Sequence, residues 1–319
     1  MLTALSAVVP TLLLVLLGYI ITRAGVLGPN SIPTLSAYVV KIGLPALIFV
    51  NVYGYTLSDI LNVTYLLTYA IAATVMVLLA RAWSKSRRLE PATAATLSLA
   101  VSGTNNGIMG FPIFLLFIPS VAGLAVGMDM LVDNTLIIPL GLFLFEAASA
   151  DEGKPWERRL LDVVIRVVTH PMVVAIALAL LLTATHFELP EILDSAVTAV
   201  ANSSPAVALF SIGGMLVGMK LGGQGADLAA SVIGKLLVMP IISVGLVLLL
   251  PALGLPALTP GLRIAAVLTC ALPSMSIVGP LSEGYGEGSF GAATVMASTV
   301  ISFVTLTGWM LALTAVGWA

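Results

Sequence analysis

Residues 102–112 read SGTNNGIMGFP and lie inside a run of sequence otherwise apolar enough to cross a membrane. Two adjacent asparagines, three glycines and a proline are poor material for a helix in lipid. Every backbone N–H and C=O there must find a partner within the protein. Such a segment is tolerated where it is buried in protein or lines a cavity, so the stretch predicts a purposeful break.

Its surroundings fix the class. Of 319 residues, 59% are hydrophobic and 9% charged, against roughly 25% charged in soluble domains. Apolar runs long enough for about 30 Å of hydrocarbon recur along the chain. Hydropathy and breaker residues predict ten spans, near 3–22, 32–53, 59–82, 91–118, 120–148, 160–185, 192–219, 228–250, 261–283 and 289–317. The first lacks a basic lead and a small-residue cleavage site, so it reads as a retained helix. Connections are short and no soluble domain is expected. The net charge of −2 gives no pointer to nucleic acid, and the single cysteine, Cys270, offers neither a disulfide framework nor a metal-ligand set.

Orientation follows from the basic residues. The loops after spans 1, 3, 5 and 7 hold nine of them: Arg23, Arg81, Lys85, Arg87, Arg88, Lys154, Arg158, Arg159 and Lys220. On the opposite side only Arg263 lies near a span end. The positive-inside rule then puts both termini on the non-cytoplasmic side of the membrane. The basic loop after span 5 divides the chain into halves of five spans, 1–150 and 151–319. With an odd number of helices in each, the second half starts from the opposite face, so the halves are expected to be inverted repeats.

Their fourth members match in kind. Span 4 holds SGTNNGIMGFP and span 9 holds TCALPSMSIVGP (269–280). Paired interrupted helices in two inverted halves are the best sequence pointer to a secondary transporter's binding site. Thr104, Asn105, Asn106 and Gly107 are therefore the first candidates for substrate contact, with Gly110 and Pro112 as the helix break. Glycine permits unwinding and proline suits the first turn of a restarted helix. Asparagine both donates and accepts without charge. In span 9, Pro273 breaks the helix, and Ser274 and Ser276 offer hydroxyls beyond it.

Span 5 adds Asp129, Asp133 and Asn134. Charges at mid-membrane are costly and mark function by default. The two aspartates, spaced i and i+4, share a helix face and are the candidate ion-coupling pair, with structural pairing to Lys41, Arg166 or Lys235 as the other reading. Lys41 is placed to attract an anion or to neutralise an aspartate. Arg166 and Lys235, near the inner ends of their spans, are expected to snorkel to the interface. His170 reads as part of a kink, and Glu283 and Glu287 as solvated loop.

The ordered segments GYIITRAGVL (18–27), LPALIF (44–49), SGTNNGIMGFPI (102–113), PAVALFSIGG (205–214), ALPSMSIVGPLSEGYG (271–286) and ASTVISFVTLTGW (297–309) together resemble the auxin efflux carrier family, which includes bacterial malonate-type carriers and plant auxin exporters. The resemblance covers nearly the whole chain. It implies an all-α polytopic membrane protein of ten transmembrane helices in two inverted five-helix repeats, like sodium/proton antiporters and bile-acid transporters. Helices 4 and 9 would be broken and cross at mid-membrane, and scaffold and transport domains, each drawn from both repeats, would move past one another. By position, Asn105 and Asn134 match asparagines of the site, Pro112 the later proline of helix 4, and Pro273 the crossover proline of helix 9. Thr104 stands where plant members carry a proline, and Ile277 and Val278 where bacterial relatives often carry asparagine.

The expected function is secondary active transport of a small organic anion, a carboxylate of the malonate or auxin type, by elevator-type alternating access. The expected partners are that anion, membrane lipid and a second copy in a homodimer. No cofactor is expected, and the coupling ion is left open between H⁺ and Na⁺. A cation/proton antiporter is the alternative. An intramembrane aspartyl protease is remote, because Asp129 and Asp133 sit on one helix and no nucleophile–base pair accompanies them.

Overall fold

A helix of twelve residues is about 18 Å long, little more than half the hydrocarbon thickness. Two such helices, ending on each other, organise the fold. The computed structural model describes residues 2–28, 30–53, 61–148, 165, 169, 171–215, 217 and 225–318. In chain order the helices are α1 (Leu2–Arg23), α2 (Ser31–Tyr38), α3 (Leu44–Val52), α4 (Val63–Arg87), α5 (Pro91–Ser102), α6 (Phe111–Phe117), α7 (Ala122–Val132), α8 (Ile138–Ala148), α9 (Pro171–Ala184), α10 (Glu191–Met215), α11 (Gly225–Ile233), α12 (Met239–Ala252), α13 (Pro260–Ala271), α14 (Val278–Glu283) and α15 (Gly288–Ala315). Wide π-helical turns occupy Val39–Gly43, Asn106–Gly110, Asp133–Ile137 and Gly234–Val238. No strand occurs among the described residues.

Among the described residues, five stretches are long and apolar enough to cross a bilayer: Val63–Arg87, Pro119–Phe145, Glu191–Ser211, Gly225–Ala252 and Gly288–Ala315. Leu13–Arg23, Pro91–Ser102 and Pro260–Ala271 are shorter apolar helices. The protein is thus an all-helical, multi-pass membrane protein. The basic loop after the fifth expected span, with Lys154, Arg158 and Arg159, lies outside the described residues, as do Arg166, His170 and Lys220.

The chain groups into two compact units. The first comprises Met1–Asn62, Asn106–Leu131 and Arg166–Met219. Its main packing is α1 against α10, and small residues set the distance. A methyl placed on Gly18 would lie 1.9 Å from the Phe210 carbonyl oxygen, and one on Gly213 would lie 1.8 Å from that of Val15. Gly214 faces Ile32 and Thr22 at similar range. Matching Gly18 to Phe210 and Thr22 to Gly214 makes the two helices parallel. In lipid, where burial of apolar surface adds little, such close backbone approach is the main source of helix association.

The second unit comprises Val63–Asn105, Val132–Ile165 and Lys220–Ala319. Its core is built on α4 and α5, where Tyr69, Ala72, Ala73, Met76, Ala95, Leu97, Leu99 and Ala100 pack with Phe145, Met239, Cys270 and Phe290. Every residue of α5 from Thr93 to Ser102 is buried. Its hydroxyls are satisfied one turn back, Thr96 on Ala92 O, Ser98 on Ala94 O and Ser102 on Ser98 O, which lets a small-residue helix be buried on all sides. At one end of the unit Asp227 accepts from Trp83 Nε1 at 2.9 Å and meets Arg87 at 3.5 Å. Glu287, expected in solvent, instead accepts from Thr93 Oγ1 and so fastens α5 to the start of α15.

Candidate functional site

The two twelve-residue helices of the second unit stop for complementary reasons. α5 ends at Gly103, whose ψ of 142° leaves the helix. α13 starts at Pro260, capped by the Thr259 hydroxyl. It ends before Pro273, with Leu272 extended (φ −62°, ψ 153°), as a residue before proline should be. The extended pieces pair antiparallel, Thr104 opposite Ser274. Asn105 N donates to Pro273 O at 3.0 Å and Met275 N donates to Gly103 O at 3.3 Å. Each break therefore satisfies backbone groups of the other within the protein.

Side chains reinforce the crossing. Asn105 Nδ2 donates to Ser276 Oγ at 2.9 Å, and Ser274 N donates to Ser298 Oγ of α15 at 3.2 Å. Thr104 Oγ1 lies 2.8 Å from the Tyr69 hydroxyl, which in turn donates to Asp133 Oδ1 at 2.5 Å. A phenol has one proton, and here it goes to the carboxylate, so the Thr104 hydroxyl must be the donor to Tyr69. The chain Thr104–Tyr69–Asp133 thus runs from the crossover to the wide turn that Asp133 opens. Ser274 Oγ is fully buried and has no hydrogen-bond partner among the described residues.

Of the sequence candidates, the second unit gathers Thr104, Asn105, Pro273, Ser274, Ser276 and Asp133, with the buried Asn134 next in the wide turn. Asn106, Gly107, Gly110, Pro112 and Asp129 belong to the first unit. There Asn106–Gly110 is a wide turn leading into α6, with Pro112 near its start, and Asp129 is buried in α7. Lys41 is exposed on the turn Val39–Gly43. Lys235 does not snorkel. It is fully buried in the turn Gly234–Val238, with Nζ 3.0 Å from Met239 Sδ and 3.4 Å from Cys270 O.

The residues that sequence reading missed are Tyr69 and Ser298. Tyr69 gives little signal in an apolar span. Ser298 falls inside the motif ASTVISFVTLTGW, but a serine in a membrane helix usually bonds its own helix. Ser298 does both, donating to Val295 O and accepting from Ser274.

Two outcomes follow from this geometry. Tyr69→Phe removes the donor to a buried carboxylate and is expected to lower stability by about 1–2 kcal/mol. Chemical denaturation of the purified protein measures it, and the Tyr69→Phe/Asp133→Asn pair is expected to cost less than the sum of the singles. Thr104→Pro is expected to fold. Neither backbone donor of the crossover is the Thr104 N–H, and Gly103 is already extended as a preceding residue must be. The loss is the Thr104 hydroxyl, about 1 kcal/mol, read from the same unfolding curves.

A model of the family described as "Membrane transport protein" matches residues 3–310. The chain belongs to that family. It is the family of auxin efflux carriers that the motif order pointed to. The chain is 26% identical over 94% of its length, and 93% of the relative's, to a Rhizobium meliloti protein named "Putative malonate transporter". It is 26% identical over 73% of its length, and 74% of the relative's, to the Escherichia coli "Uncharacterized transporter YfdV". An "Uncharacterized transporter" of Methanothermobacter thermautotrophicus is 33% identical over 34% of this chain, a match spanning 36% of that protein. Family and relatives mark this membrane transport protein as a transporter rather than an enzyme.

Proposed function

We propose that the protein is a secondary active carrier of a small organic anion, a mono- or dicarboxylate of the malonate or auxin type, working by elevator-type alternating access in the plasma membrane. In this reading the chain forms ten spans in two inverted repeats, 1–150 and 151–319, with both termini on the non-cytoplasmic side. The observation that carries it is the crossover of Thr104 with Ser274. Two half-helices ending on each other at mid-depth make a polar, water-poor place built from uncharged donors: the Asn105 amide, Ser276, and the buried Ser274 hydroxyl. Uncharged donors can hold a carboxylate and release it, which suits a carrier better than an Arg clamp would. The name of the Rhizobium relative favours the same class of substrate.

The buried Asp129 and Asp133 favour a second reading, cation/proton antiport. One assay separates the two. Proteoliposomes loaded with malonate, a monocarboxylate or buffer are given labelled malonate outside, with a pH dye inside. Anion counterflow supports the carrier, whereas proton release driven by Na⁺ or Li⁺ without any organic anion supports the antiporter.

A further inference from the structure

We propose that the end of α4 is a docking site for the headgroup of an anionic phospholipid, bound by Arg81, Lys85 and Arg88, while Arg87 serves the fold. The inference needs only that α4 crosses the bilayer, and it stands apart from the transport reading.

Length sets the depth of these residues. The stretch 63–80 carries no charge and, at 1.5 Å per residue, measures about 27 Å, close to the roughly 30 Å of hydrocarbon. Arg81 is the first charged residue of α4, so it falls at the hydrocarbon edge, and the turns that follow lie among the headgroups. Trp83 agrees with that level, since tryptophan is enriched at membrane interfaces.

Direction divides the cations. At about 100° per residue, Val63, Leu67, Leu78, Arg81 and Lys85 fall within about 60° of one another around α4. Val63, Leu67 and Leu78 are exposed apolar side chains, so this stripe is the one that faces lipid. Arg81 and Lys85, one turn apart and both exposed, continue it beyond the hydrocarbon. Trp83 and Arg87, also one turn apart, lie on a different face and meet Asp227 of α11.

Charge complementarity names the occupant. Among the described residues, Arg81, Lys85 and Arg88 enter no ion pair. The acids close by are otherwise placed: Asp227 is matched by Arg87, Glu287 accepts from Thr93, and Glu90, the exposed cap of α5, is paired with none of the three. Unmatched cations on a lipid-facing stripe at headgroup depth call for a phosphodiester, which a planar guanidinium meets bidentately and an ammonium as a point charge.

Arg88 supplies a separate sign. α4 ends with Leu89 N donating to Ser84 O at 3.0 Å and Arg88 N to Lys85 O at 3.3 Å, a Schellman pattern whose left-handed position glycine usually fills. Arg88 occupies it at φ 55°, a conformation that a Cβ disfavours. The turn thus keeps a guanidinium where its backbone favours glycine.

The test places a fluorophore on Ser86→Cys, an exposed site at the same helix end; the native Cys270 is buried. In phosphatidylcholine nanodiscs, quenching by spin-labelled phosphatidylglycerol is compared with quenching by spin-labelled phosphatidylcholine. The expected preference for phosphatidylglycerol is at least about tenfold, since each cation at an anionic surface contributes about fivefold, and it falls with added salt. Arg81→Gln/Lys85→Gln should remove most of it. Arg88→Gly should weaken it and yet raise the unfolding temperature, because glycine relieves the left-handed position, an outcome that a merely structural arginine would not give. Arg87→Gln should leave the preference intact. No preference in the unsubstituted chain, one that survives Arg81→Gln/Lys85→Gln, or an equal loss in Arg87→Gln overturns the proposal. So does displacement of the lipid by inorganic phosphate beyond that by chloride at equal ionic strength, the behaviour of a site for the free ion. Should the double variant not fold, Arg81→Gln and Lys85→Gln are read singly, each with an expected loss of about fivefold.

Discussion

Gly213→Leu is expected to yield no stable carrier: the folded peak in size-exclusion chromatography disappears, or the unfolding midpoint drops by roughly 10 °C. The cause is backbone against backbone. A single methyl at Gly213 would already sit 1.8 Å from the Val15 carbonyl oxygen and 2.7 Å from the Tyr19 nitrogen. Neither atom can rotate away as a side-chain tip would. Accommodation requires α1 and α10 to separate, and their approach is the principal packing of the first unit. Separation forfeits dispersion contacts along both helices, with no hydrophobic term in lipid to offset the loss. Gly213→Ala is expected to be damaging in proportion, and Gly18→Ala likewise, because its methyl meets Phe210 O. Gly245 of α12 supplies the control. A methyl there meets nothing within 4 Å, so Gly245→Ala should be neutral or slightly stabilising by removing backbone freedom from the unfolded chain. Equal damage at Gly213 and Gly245 would show that glycine flexibility, not close approach, is what α10 needs.

What could be read in the sequence was whatever a local pattern encodes. SGTNNGIMGFP and TCALPSMSIVGP announce breaks because glycine, asparagine and proline act on their own backbone, and the structure puts both breaks opposite each other. What could not be read was partnership over long separations. Tyr69 and Asp133 are joined across 64 positions, and Asn105 and Ser276 across 171. Lys235 shows the limit most clearly. Position alone put it within reach of the interface, and a long flexible side chain is free to go either way. In the structure it turns inward, toward the Cys270 carbonyl 35 residues away. Thr104 is the converse case. It stands where plant members carry a proline, yet the pairing across the crossover never uses its N–H, and its hydroxyl reaches the buried Tyr69–Asp133 pair.

Asn105→Ala is expected to reduce anion uptake by about a hundredfold, the equivalent of losing a hydrogen bond to a charged group, while leaving the fold in place. The two roles of Asn105 are separable. Its backbone N–H holds Pro273 O, and alanine keeps that bond. Its side-chain amide reaches Ser276 Oγ, and alanine removes it without adding bulk. The crossover therefore survives the substitution, and unfolding should change by no more than about 1 kcal/mol. Asn105→Asp sharpens the experiment. It conserves shape but replaces a donor amide by a carboxylate, which repels an anion and attracts a cation. A carrier of organic anions should lose uptake in both variants, Asn105→Asp at least as severely. An antiporter should lose cation exchange in Asn105→Ala and retain or strengthen cation binding in Asn105→Asp. Uptake unchanged in both would remove Asn105 from the site and leave the crossover a purely structural joint.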